Sequence, residues 1–111
     1  MEQATRDRFT RHARVFKALG HGTRLFMVRE LGRGERCVQD LQQLVGSDIS
    51  TISKHLSVLR EAGLVRDDRR GNQVFYSLAA PCVLEFMTCV EGVADGNAPQ
   101  AILDAPPRDG S

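Results

Sequence analysis

A mainly α-helical domain closed by a single β-hairpin is what the sequence predicts. Three observations carry that prediction. Apolar residues recur at spacings of three and four in five segments, glycine-bearing breaks separate most of those segments, and one stretch alternates in character on either side of Gly71-Asn72. At 111 residues the chain has room for one small domain. A domain of that size buries only about two-thirds of its unfolded surface, so pairing with a second copy is a natural way to enlarge its core.

The first helix is expected from about Thr5 to Leu19, with Phe9, Ala13, Phe16 and Leu19 at helical spacing. Gly20-His21-Gly22 interrupts it, and a second helix carries Leu25, Val28 and Leu31 as far as Gly32-Arg33-Gly34. A third holds Val38, Leu41, Leu44 and Val45 and ends at Gly46. Ser47 and Asp48 then offer N-caps for a fourth, whose Ile49, Ile52, Leu56 and Leu59 are expected to point inward before Ala62-Gly63 stops it. Two helices joined by so short a glycine-bearing link make the helix-turn-helix pattern.

Behind it come Leu64-Val65-Arg66, then Asp67-Asp68-Arg69-Arg70-Gly71-Asn72, then Gln73–Leu78, and the alternation on either side of the Gly71-Asn72 turn reads as a hairpin whose tip carries Arg69 and Arg70. A hairpin in that place is the wing of a winged helix-turn-helix. Pro81 suits the first turn of a fifth helix running to about Val93. That helix has two neighbouring apolar stripes, Val83, Met87, Val90, Ala94 and Cys82, Phe86, Cys89, Val93. So wide an apolar face predicts a subunit interface. Residues 1–94 are therefore expected to form the domain, and 95–111, which hold three of the four prolines, a loose tail.

Charge is distributed unevenly. Residues 1–80 hold 14 basic against 9 acidic side chains, a net of +5, and residues 81–111 a net of −4. Thirteen of the 15 basic residues are arginine, the side chain that best matches phosphate and guanine, although a bias toward arginine codons gives the same count. Aromatic residues are too few for a base-stacking RNA surface. No apolar run is long enough to span a membrane and the N-terminus lacks a signal-peptide core, so a cytoplasmic location is expected. No phosphate loop, Gly-x-Ser-x-Gly or His-Glu-x-x-His motif is present, and no enzymatic activity is expected.

In a helix-turn-helix the start of the second helix enters the major groove. Its outward residues here are Ser50, Thr51, Ser53, Lys54 and His55, and with Arg69 and Arg70 on the wing they form the expected contact set for double-stranded operator DNA. Taken one by one, these are ordinary exposed polar residues; their order along the chain is what points to DNA. The rival from another class is a winged-helix protein-interaction module without DNA binding.

The same residues carry a family resemblance. Phe16-Lys17-Ala18-Leu19-Gly20-His21-Gly22-Thr23-Arg24-Leu25, Glu35-Arg36-Cys37-Val38-Gln39-Asp40-Leu41 and Ser50-Thr51-Ile52-Ser53-Lys54-His55-Leu56, followed by Leu59-Arg60-Glu61-Ala62-Gly63-Leu64-Val65, resemble the ArsR/SmtB repressors over roughly residues 12–92. The resemblance implies a homodimer formed through the first and last helices, released from its operator by an effector.

It also frames the cysteines. The family's metal box has two cysteines two positions apart. Cys37 falls on the first, but Gln39 occupies the second, and one thiolate does not hold a soft metal alone. Cys82 matches a ligand position on the last helix of some members, while the partner positions fall on Val93 and Gly96, so the usual zinc set is absent. Cys82 and Cys89 lie two turns apart, about 10.5 Å, too far to share an ion within one chain. Antiparallel pairing of last helices in a dimer would bring Cys82 toward the partner's Cys89, and Cys82 sits in a first turn that favours thiolate.

Three readings remain open: arsenite or another soft metal held by Cys37, Cys82 and Cys89; thiol oxidation between Cys82 and Cys89; and cysteines that serve only packing. No obligatory cofactor is expected. His12 and His21 fit an exposed helix position and a helix start better than ligand roles.

Overall fold

The computed structural model describes residues 1–96. They fall into two units, residues 1–81 and the segment from Cys82 onward. The first contains α1 (Gln3–Leu19), α2 (Gly22–Leu31), β1 (Arg36–Cys37), α3 (Val38–Val45), α4 (Ile49–Glu61), β2 (Val65–Arg70) and β3 (Gln73–Leu78); the second contains α5 (Val83–Ala94). This is the winged helix-turn-helix expected from the sequence, five helices with a hairpin wing.

The core of the first unit is built on α2, α3 and α4. Met27, Val28, Leu41, Ile52, Leu56 and Leu59 are its fully buried side chains, and Leu64 and the sheet residues Val65 and Tyr76 are buried as well. In α4 the buried residues Ile52, Leu56 and Leu59 repeat at four and three, so one stripe faces the core and the opposite stripe is left to solvent. Ile49 departs from its expected inward place and is 44% exposed. It is the first residue of α4, beyond the reach of the buried stripe.

The joint between α3 and α4 follows from local chemistry. Gly46 ends α3 with a φ of 84°, a left-handed conformation that glycine adopts without a Cβ clash. Asp48 then caps α4, accepting from the Thr51 backbone N–H at 2.8 Å.

The sheet has order β1-β3-β2, all antiparallel. Asp67, Asp68, Arg69 and Arg70 belong to β2, paired with Tyr76, Phe75, Val74 and Gln73. Four cross-strand pairs hold them in the ladder and leave Gly71-Asn72 as a two-residue turn. Gly71 has a φ of 62°, and among the described residues no other residue type has a positive φ, as a glycine-first type II′ hairpin requires. The third strand, β1, is only two residues long and pairs Arg36 with Tyr76 and Cys37 with Phe75. Arg36 also reaches the buried carboxylate of Glu30 at 3.7 Å, which ties β1 to α2.

The apolar stripe of α1 is largely uncovered: Phe9 is 50% and Phe16 60% exposed, while Ala18 and Leu19 are buried. In α5, Phe86, Val90 and Val93 are exposed at helical spacing. That helix starts two residues later than expected, with Pro81 ahead of it and Cys82 as its N-cap. Of the expected tail, Asp95 and Gly96 close α5, and residues 97–111 lie outside the described residues. No described helix is long and apolar enough to cross a membrane.

Candidate nucleic-acid interface

The start of α4 is rigid by construction. Asp48 Oδ1 accepts from the Thr51 backbone N–H and, at 3.1 Å, from the Ser50 hydroxyl. The Thr51 contact is the main reason that the Asp48 carboxyl lies below the usual carboxylate range. The cap therefore orders the first turn, and Ser50 is partly engaged in it. Ser53 and Lys54 are exposed, and the Lys54 ammonium makes no ion pair among the described residues. A free cation and short hydroxyls on the exposed side of a capped helix are what groove and phosphate contacts require.

His55 stands apart from this set. It is half-buried, its ring centroid 4.6 Å from that of His21 and its Nδ1 3.2 Å from Arg24 Nη1. A guanidinium can only donate, so His55 Nδ1 must accept and the neutral ring carries its proton on Nε2. The same logic fixes His21, whose Nδ1 accepts from the Thr23 N–H at 3.1 Å and so caps α2. Arg24 in turn donates from Nε to the Ala18 carbonyl at 2.6 Å, closing the end of α1. His55 is thus a joint between the recognition helix and α2. Sequence reading missed this role because its partners lie 31 and 34 positions away.

Burial, then the charges of His21 and Arg24, hold the His55 pKa below its usual 6.5. The folded protein therefore binds fewer protons than the unfolded chain just below that value. Stability should be complete above about pH 6.5 and fall as pH drops below it. His55→Asn, whose side-chain oxygen can take the Nδ1 place, should flatten this part of a Tm-versus-pH curve. An unchanged curve in the variant would assign the acid sensitivity elsewhere.

On the wing the two arginines differ. Arg70 is committed: its guanidinium makes a paired contact with Glu35 at 2.6 and 2.8 Å, donates to Asp68 at 2.9 Å and lies 4.7 Å over the Phe75 ring. The Glu35 contact is the main reason its pKa is raised. Arg69 is exposed with no ion pair among the described residues, as is Arg66 further back along β2, and Arg69 is the available cation nearer the tip. Glu35→Gln removes one side of the clamp. It is expected to broaden the wing's backbone amide signals in NMR while α4 signals stay in place; unchanged wing signals would show that the clamp does not order the hairpin.

The cysteines are dispersed. Cys37 is the N-cap of α3 and 6% exposed, Cys82 is exposed and Cys89 half-buried. Among the described residues of one chain, no group of three or more His, Cys, Asp or Glu is placed to hold a metal ion.

A helical body whose capped fourth helix offers a free cation, followed by an arginine-bearing hairpin, defines the class: a winged helix-turn-helix regulator. Residues 21–67 match the family model described as bacterial regulatory protein, arsR family. The chain is 33% identical to the homodimeric winged helix-turn-helix DNA-binding domain of Mb0332 from Mycobacterium bovis, a possible ArsR-family regulator. That match has a TM-score of 0.75 and covers 86% of this chain and 88% of that one. It is 42% identical over 66 residues to a biofilm growth-associated repressor of Xylella fastidiosa, covering 60% of this chain and 58% of the relative. With an arsenic resistance transcriptional regulator of Pseudomonas putida it shares 38% over 84 residues, 75% of this chain and 66% of the relative. The chain spans less than two thirds of either relative's own length. It belongs to the ArsR family of bacterial regulatory proteins, a family of regulators and not of enzymes.

Proposed function

We propose that the protein is a homodimeric transcriptional repressor that binds double-stranded operator DNA in the cytoplasm and leaves it when thiolates on α5 take up an effector. The observation that carries this reading is the capped start of α4, with Lys54 free on its exposed side and Arg69 free on the wing of the same body. Lys54, Ser50, Thr51 and Ser53 enter a major groove, and Arg69 reaches an adjacent phosphate. Arg70 and His55 position the wing and the recognition helix. The exposed Phe9 and Phe16 of α1 and Phe86, Val90 and Val93 of α5 support a second copy as partner. The homodimeric Mycobacterium bovis domain supports it too.

Cys82 and Cys89 are the accessible thiols of α5. Two turns apart, they cannot hold one ion within a protomer. Across a two-fold axis, with the α5 helices antiparallel, Cys82 meets Cys89 of the partner subunit. Arsenite or another soft metal is the effector such thiolates favour, and the name of the Pseudomonas putida relative points the same way. Arsenite takes a third thiolate, and Cys37, the remaining cysteine, is buried beside β3. That burial favours a second reading, because two accessible thiols suffice for a disulfide formed with loss of two electrons to a peroxide or a small disulfide.

The test is fluorescence anisotropy of the reduced protein on DNA upstream of its own gene, with and without a few equivalents of arsenite. A coupling of about 3 kcal/mol would lower DNA affinity roughly 150-fold. Cys82→Ser and Cys89→Ser should bind as the wild type does and fail to release. Release by an added disulfide, with none by arsenite, selects the redox reading. If both variants release like the wild type, thiol sensing on α5 is wrong.

A further inference from the structure

A cleft beside the recognition helix carries positive charge that the contacts above leave unused. It is a cavity of about 440 Å³ between α1 and the second half of α4, walled by Arg14 and Lys17 of α1, Arg24 of α2, and Val58 and Glu61 of α4. Val58 and Glu61 stand four and seven positions beyond Lys54. At about 100° per residue they lie within about 40° of it around the helix. The cleft therefore opens on the same stripe of α4 as Ser50, Thr51 and Lys54, and continues that stripe toward α1.

Its charges are not equivalent. Arg24 is occupied by the Ala18 and Lys17 carbonyls and by His55. Arg14 and Lys17 are exposed and make no ion pair among the described residues, and neither does Glu61. Three cations thus surround one carboxylate, with two of the cations uncommitted. Arg14 lies five residues after Phe9, about 140° around α1 from the exposed Phe9 and Phe16 stripe. A partner helix seated on that stripe would leave Arg14 clear.

We propose that this cleft is a second phosphate site for duplex DNA, in which Arg14 and Lys17 receive a backbone phosphate flanking the groove read by Lys54. The proposal rests on the reading of the chain as a DNA-binding protein. A phosphate there would extend the footprint from the recognition helix to α1, and would do so without reading sequence. Glu61 opposes it, so the charge of this one side chain sets how tightly the phosphate is held.

The experiment measures the affinity of wild type, Arg14→Gln, Lys17→Gln and Glu61→Gln for one duplex across about 50 to 200 mM salt, with dimer state checked by size-exclusion chromatography. Each phosphate contact contributes a slope of about −0.9, and the shared contact occurs twice in a dimer, so Arg14→Gln or Lys17→Gln should each flatten log K against log salt, by up to about 1.8. Across that range a variant should lose less affinity than the wild type does, by up to about 12-fold. Glu61→Gln should bind several-fold more tightly, on the order of 5-fold. Wild-type slopes in both cation variants overturn the proposal, and should those variants fail to fold, unchanged affinity in Glu61→Gln overturns it equally. A wild type that binds no duplex defeats instead the DNA-binding reading on which the proposal stands.

Discussion

Leu56→Ala should destabilise the protein by about 2–5 kcal/mol. Leu56 is fully buried, in the centre of α4 on the stripe that also carries Ile52 and Leu59. Removing its side chain loses the transfer of the deleted atoms and leaves a cavity between α4 and the helices it covers. Against a total stability of about 5–15 kcal/mol for a domain of this kind, such a loss drops Tm by many degrees or unfolds the protein at growth temperature. Thermal melts at one fixed protein concentration read it, since a dimer's stability depends on concentration. Ile49→Ala is the contrast: 44% exposed on the same helix, it should change stability by no more than about 0.5 kcal/mol. Equal effects of the two substitutions would mean that α4 does not pack as described.

Lys54→Ala should weaken operator binding by about two orders of magnitude while leaving Tm where it was. Lys54 is exposed and makes no ion pair, so its loss removes no contact that holds the fold. A charge-assisted contact is worth about 1.5 kcal/mol or more, and a dimer makes it twice, which gives roughly 3 kcal/mol in DNA affinity. Arg70→Ala should differ in kind. Its charge is taken up by Glu35 and Asp68, so the variant disturbs the wing, and a change in affinity should come with changed hairpin NMR signals. If Lys54→Ala binds as tightly as wild type, the recognition helix does not enter DNA by this stripe.

Whatever depended on local chemistry was legible in the sequence. Gly46 and Asp48 punctuate the helix-turn-helix because each does one short-range thing, a left-handed turn and a cap. The hairpin announced itself through Gly71-Asn72, although the extent of β2 did not, because Asp67 to Arg70 is polar on both faces and only pairing with β3 makes it a strand. Two-residue β1 has too few positions to show a period. Long-range partners were beyond reach: Arg70 finds Glu35 across 35 positions, and His55 finds Arg24 across 31. Both share with Lys54 a polar, outward position in the sequence pattern, and only the fold shows that they also hold partners within the chain. The cysteine spacing on α5 was readable, because two turns is a fixed distance. What a thiol meets across a dimer axis is not, since no local pattern encodes it.

Lys54 and Arg69 are expected to grip duplex DNA in a way that depends on sequence and salt. The most direct measurement is the affinity of the reduced protein for the DNA upstream of its own gene and for a scrambled duplex of equal length, each at several salt concentrations. Binding to the upstream DNA should be much tighter, by about 10³-fold or more, with affinity for both falling steeply as salt rises. Equal affinity for the two duplexes, or binding indifferent to salt, would contradict it.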